Sequence, residues 1–422
     1  MLQNCIIAVL LISSWNVFSQ SRNGYFLTPE ILVGKTMEAN TGFPDSGLQT
    51  GFYLNFSRKH DSDEELWARE LKYPQTGLSL GFSDFGNSDL IGKAFTIMPT
   101  IQMDLLKTKK DKTLSILMGM GMSYMDTQYD ILDNPFNKGI STKLNWSFKS
   151  FFYYDAFKLF KTQSRIGLGY LHHSNGHIRL PNQGLNSFLL SVSSQFQLKD
   201  QLRSVRHMTK DTTRLTQTYF SLRTGIGQNV LSQAFNDKKE VYSLAAAYGK
   251  IINGTFKFGG GLYYRFYEKY YDHIKNRGDQ VEEQVPEYID HPFRYATNFG
   301  AFGTAEILMN HVGIEFNLGI NFYKPFYKID WQLSQGYTWI RMVDGEPQIA
   351  YVLEELNDYY KLKRTVSSRL GIKYYILNTN DHPRHNVFFG AHINANLGQA
   401  DFSEFSLGYV RRFNLKKKTV ID

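Results

Sequence analysis

The sequence predicts an all-β protein, an antiparallel transmembrane β-barrel, from three observations. Apolar residues recur at every second position through much of the chain, the period of a strand with one apolar face. Aromatic residues make up 15% of the chain, with 27 Tyr and 32 Phe beside 34 Gly, yet the mean hydropathy is only −0.35. That combination fits strands that meet lipid on one face alone. Finally, no stretch offers about 18 consecutive apolar residues for a membrane-spanning helix, and in a bilayer only a closed barrel otherwise satisfies the backbone.

Taken in order, the chain starts with a short apolar run from Cys5 to Ile12 that ends near Val17, Phe18 and Ser19. This reads as a secretory signal peptide over residues 1–19, cleaved just after Ser19, although its first residues carry no Lys or Arg. Cys5 is the one cysteine, so the mature chain would hold neither a disulfide nor a thiol nucleophile.

Alternation then marks successive strands over residues 24–35, 48–57, 76–83, 95–105, 114–124 and 144–152. In the second, for example, Phe52, Leu54 and Phe56 alternate with Gly51, Tyr53 and Asn55. Two further runs, around residues 165–174 and 186–196, bring the expectation to about eight strands by Leu198, enough to close a small barrel. If the first strand starts in the periplasm, the seventh ends at the extracellular rim. Residues 58–74 would then be a periplasmic turn, and alternation gives no reason for its length and charge.

Residues 199–217 are polar and basic, as a linker would be. Residues 218–414 echo the first unit at residues 20–198: Thr218, Tyr219 and Phe220 with Gly225 echo Gly24, Tyr25 and Phe26 with Gly34 in the first strand, residues 241–250 echo the second strand, 256–266 the third, and 295–322 the pair at 95–124. Residues 366–377, 387–396 and 402–413 add three more. About eight strands again point to a tandem duplication, closing either as two barrels or as one of about sixteen strands. Residues 415–422 form a basic tail.

The seventh and eighth strands carry the chemistry. Ile166, Leu168, Tyr170, His172 and Ser174 share one face, and Asn186 is in phase with Phe188, Leu190, Val192 and Phe196. A hairpin would bring His172, Ser174 and Asn186 together at one end of its apolar face. A hydroxyl, an imidazole and an amide placed there point to an esterase that meets its substrate from the lipid side. His173 falls on the opposite face, as a hydrogen-bonding residue of the lumen. With His177 in a loop, the three histidines make no metal site. Arg179 can meet a lipid phosphate or solvent. In the second half His392 and Asn394 point inward with no Ser beside them, so this copy reads as catalytically empty.

The run His172-His173-Ser174-Asn175-Gly176, followed by Pro181-Asn182-Gln183-Gly184, resembles the outer-membrane lipid A 3-O-deacylases of the PagL type. The likeness covers roughly residues 20–198. It implies a small eight-stranded barrel that removes an ester-linked hydroxyacyl chain from lipid A, or lipopolysaccharide, in the outer leaflet of the bacterial outer membrane, without a metal or other cofactor. By the same likeness Ser174 is the nucleophile, His172 its general base, and Asn175 and Asn182 oxyanion or positioning residues. The departure is Asn186, where the family has Glu. An amide can hold the imidazole but cannot stabilise its cation by charge.

The net charge of +8 fits a surface that meets phosphorylated lipid and equally an ordinary basic protein. Nucleic acid is excluded as a partner, since no basic block exceeds Lys416 to Lys418. Two alternatives stay open: a phospholipase with the same site, and a structural or pore-forming barrel.

Overall fold

Strands with one apolar and one polar face can leave the apolar face uncovered only where it meets lipid, and the chain closes such strands into two walls rather than one. A computed structural model describes residues 24–60, 65–108, 112–159, 162–198 and 213–419. The expected signal peptide lies outside the described residues. The first barrel runs β1 (Tyr25–Thr36), β2 (Gln49–Lys59), β3 (Gln75–Asp84), β4 (Lys93–Lys107), β5 (Thr113–Met125), β6 (Leu144–Leu159), β7 (Thr162–Ser174) and β8 (Leu185–Gln197). It closes by antiparallel pairing of β1 with β8.

The second barrel runs β9 (Thr213–Asn229), β10 (Lys239–Ile252), β11 (Phe256–Tyr267), β12 (Thr297–Met309) and β13 (Val312–Tyr323). After an excursion containing the two-stranded ribbon β14 (Thr338–Val343) and β15 (Glu346–Tyr351), it resumes with β16 (Val366–Tyr375), β17 (His385–Asn396) and β18 (Gln399–Thr419). β9 pairs with β18 to close it. The question of one barrel or two is thus settled as two closed antiparallel barrels of eight strands each.

Two boundaries differ from expectation. Of the expected linker, residues 199–212 lie outside the described residues, while Thr216 and Gln217 already pair with β10. At the other end Lys416, Lys417 and Lys418 extend β18 against β9. Both ends stand beyond the apolar band, where each face of a strand can be polar and alternation no longer marks it. The ribbon β14–β15 was not among the expected strands.

The outward faces are apolar and bare: Leu190 is 63% exposed and Phe405 69%. Such a belt, running round both barrels, is the surface of a protein that spans a membrane. The lumens are filled by charged networks. Within the first, buried Glu30 accepts from Lys149, Tyr153 and Ser191. In the second, Lys257 and Lys373 both reach Glu306, and Arg369 lies between Glu315 and Glu404. A gap of ≈ 20 Å³ beside Tyr219, Lys257 and Glu315 has room for about one water. A merged pore-sized barrel is therefore not what the chain builds.

The barrels stand side by side. Ile101 has the outward phase of Phe95 and Ile97, yet it is 4% exposed, because Met309 and Ile307 of the second barrel pack near it with Trp67. The long segment between β2 and β3 explains itself here. Its helix Leu66–Glu70 is too short to hold alone, and it forms by docking. The Trp67 indole donates to Asn310 Oδ1 at 3.1 Å, and Asn253 Nδ2 donates to Glu70 Oε1 at 2.9 Å. At the opposite end, helices between β11 and β12 and between β13 and β16 bury Tyr270, Ile274, Phe326 and Ile329 over the second lumen.

Candidate active site

The hairpin β7–β8 builds the site by register alone. His172 lies directly opposite Asn186 and Tyr170 opposite Phe188, while across β6 Ser174 lies opposite Trp146. Residues two apart on a strand share a face, so Tyr170, His172 and Ser174 stand in a row on the outer wall. His172 Nε2 is 2.9 Å from Ser174 Oγ, and His172 Nδ1 is 2.8 Å from Asn186 Oδ1. An amide oxygen can only accept, so with Oδ1 facing Nδ1 the proton sits on Nδ1 and the Nε2 lone pair faces the Ser174 hydroxyl. Tyr170 adds a contact that alternation did not reveal: its hydroxyl donates to the same Asn186 Oδ1 at 2.5 Å.

The loop between the strands is held from several sides. The Asn175 backbone N–H donates to Asn182 Oδ1 at 2.8 Å. Asn175 Nδ2 donates to Ser141 Oγ and to the Arg179 carbonyl, and its Oδ1 accepts from the His177 N–H. The Asn175 side chain is thus committed to holding the loop. Fixing Asn182 Oδ1 in this way leaves its Nδ2 end with no partner among the described residues. Arg179 is exposed on the rim, and its guanidinium helps the Asp133 and Leu132 N–H groups hold the Asp130 carboxyl below its ordinary range.

Gly184 closes the loop with φ +79°, a backbone that side chains rarely adopt. A Cβ there would lie 2.6 Å from His172 Cε1, so the glycine makes room for the imidazole.

The other histidines point elsewhere, as phase required for His173. Its Nδ1 lies 2.9 Å from Ser123 Oγ inside the lumen. His177 donates from Nε2 to the Val230 carbonyl at 3.1 Å, and burial holds its ring below the ordinary imidazole pKa. Outward, inward and sideways, the three rings do not converge. Among the described residues no group of three His, Cys, Asp or Glu could hold a metal.

Val230 belongs to the second barrel, and it is one of several contacts from that side. Asn236 accepts from the Leu180 N–H at 2.9 Å and donates to the Leu180 carbonyl at 2.6 Å, as a strand partner would. Ser403 donates to the Gly176 carbonyl at 3.3 Å and accepts from the Trp146 indole at 2.9 Å. Trp146, Ser403 and Asn236 escape sequence reasoning, because they approach the loop across strands or from the other barrel.

The second barrel repeats the topology without the site. His392 and Asn394 face its lumen, where they bond to Arg369 and Glu404. The loop that carries residues 175–184 in the first barrel is cut to the turn at Leu397 and Gly398.

Among solved structures the chain is similar to the outer membrane enzyme PagL, with 16% identity and a TM-score of 0.29, over 39% of this chain and 97% of that one. It is also similar to an outer membrane channel from Pseudomonas putida F1, with 9% identity and a TM-score of 0.19, over 94% of this chain and 98% of that one. No curated protein matches it at sequence level. Residues 49–195, the stretch of the first barrel that includes His172, Ser174 and Asn186, match the family model Lipid A 3-O-deacylase (PagL).

Proposed function

We propose that this outer-membrane protein is a serine esterase that removes an ester-linked acyl chain from lipid A in the outer leaflet. The observation that carries the reading is the row Ser174, His172, Asn186, hydrogen-bonded in sequence on the face that also presents Phe188 and Leu190 to lipid. Ser174 Oγ attacks the acyl carbonyl while His172 Nε2 takes its proton. The carbonyl oxygen becomes an oxyanion, for which Asn182 Nδ2 is the donor. The intermediate then expels the sugar oxygen, which receives the proton from His172 Nε2. Water, deprotonated by the same nitrogen, attacks the acyl-serine carbonyl, and as the acyl–Oγ bond breaks His172 Nε2 returns the proton to Ser174 Oγ and the fatty acid leaves.

In this reading Arg179, on the exposed rim, meets a lipid A phosphate, and Asn175 acts by positioning the loop. Residues 20–198 form the catalytic unit and 218–414 a repeat that supports it without chemistry of its own.

The test uses the purified full chain, folded in detergent, given lipid A and, separately, phospholipid. A hydroxy fatty acid released from lipid A, and lost in Ser174→Ala, is the expected result. Release from phospholipid alone would move the substrate to that lipid, and release from neither would overturn the reading.

A further inference from the structure

An amide in the third position of the row creates a problem that a carboxylate does not. Both oxygens of a carboxylate accept, so either may face His172. An amide has an accepting end and a donating end. If Nδ2 of Asn186 faced His172, Nδ1 would have to accept, the proton would move to Nε2, and Ser174 would lose its base. The same change of tautomer accompanies replacement of Asp by Asn in a serine protease and costs about 10⁴-fold in rate.

The surroundings of Asn186 resolve the choice. Tyr170 OH is 2.5 Å from Asn186 Oδ1 and 3.4 Å from His172 Nδ1. Its ring stacks beside the imidazole with centroids 6.2 Å apart and leans on Phe188 at 5.4 Å. The phenol and the imidazole N–H therefore converge on one oxygen, which has two lone pairs to receive them. Turning the amide over would take the acceptor from both donors at once. A phenol is a better donor than acceptor, so the flipped amide is not an equal substitute.

We infer that Tyr170 is a positioning residue that fixes the Asn186 amide with its oxygen toward His172, and so lets an uncharged row hold the productive imidazole tautomer. The inference rests on the esterase reading above. It assigns Tyr170 no contact with the reacting atoms.

The experiment is a double-mutant cycle on the full chain in detergent, reading kcat for lipid A deacylation, with folding checked by the heat-dependent gel migration of intact barrels. Tyr170→Phe removes one oxygen and keeps the ring against Phe188, so packing is preserved. In the native background it should lower kcat by roughly ten-fold to about 10⁴-fold, the upper bound being the cost of the wrong tautomer. In an Asn186→Glu background, where neither end of the side chain can donate, the same substitution should cost far less. A merely structural tyrosine would cost the same in both backgrounds, and equal losses overturn the inference while leaving the esterase intact. So would an undiminished kcat for Tyr170→Phe in the native background. Native protein no more active than Ser174→Ala overturns the esterase reading, and this inference with it.

Discussion

His172 is useful only while its imidazole stays between Ser174 and Asn186, and the residue that leaves space for it is Gly184. With φ +79° and a Cβ that would fall 2.6 Å from His172 Cε1, Gly184→Ala must push either the loop or the ring aside. A misplacement of about 1 Å costs on the order of 10²-fold in rate, so kcat should fall by that much while the barrel still folds. Steady-state ester hydrolysis on folded protein measures it, and an unchanged kcat would show that the ring tolerates the intrusion. The row itself was legible in the sequence, because strand period alone places His172, Ser174 and Asn186 on one face. Tyr170 as the partner of Asn186 was not, since a diagonal cross-strand contact requires the register that sets His172 opposite Asn186. Nor does a motif tell which end of Asn175 is already engaged.

At the scale of elements, the strands owe their inner faces to a few buried charges. Lys149 is wholly buried and ion-paired to Glu30, which Tyr153 and Ser191 also bond. Lys149→Met strands the Glu30 carboxylate in the lumen. It should therefore destabilise the first barrel by about 3–5 kcal/mol in urea unfolding from detergent, and adding Glu30→Gln should recover part of that loss. A native midpoint in Lys149→Met would mean the pair contributes nothing. Large aromatics also fill the lumen, and Gly169 accommodates one of them: a Cβ there would lie 2.3 Å from the Phe151 ring. The glycine and aromatic composition that signalled a barrel is thus a packing requirement as well as a lipid signature. Strand order in both halves was readable from alternation. The ribbon β14–β15 and the helices over the second lumen were not, because they stand outside the lipid band and carry no sustained period. The helix Leu66–Glu70 was illegible for another reason. Five residues specify nothing alone, and this segment is ordered by Asn310 and Met309 of a barrel far along the chain.

At the scale of the whole molecule, the second barrel is joined to the first at both ends, through Trp67 and Glu70 on one side of the membrane and through Asn236, Val230 and Ser403 on the other. The second set grips the loop that carries Asn175, Gly176 and Asn182. The second barrel thus takes part in holding the loop beside the Ser174 row of the first. Asn236→Ala removes both bonds to Leu180 without touching the first barrel, and a loosened loop should lower kcat by up to about 10²-fold with little change in KM. Equal kcat in the variant and the native chain would separate the second barrel from catalysis. The proposed cleavage of a lipid A acyl ester by Ser174, on the lipid-facing wall, leaves its mark on the lipid itself. It is tested by mass spectrometry of lipid A from cells expressing the native chain and from cells expressing Ser174→Ala at equal folded levels. Loss of one acyl chain with the native protein alone is the predicted result, and lipid A of identical mass in the two cultures would contradict it.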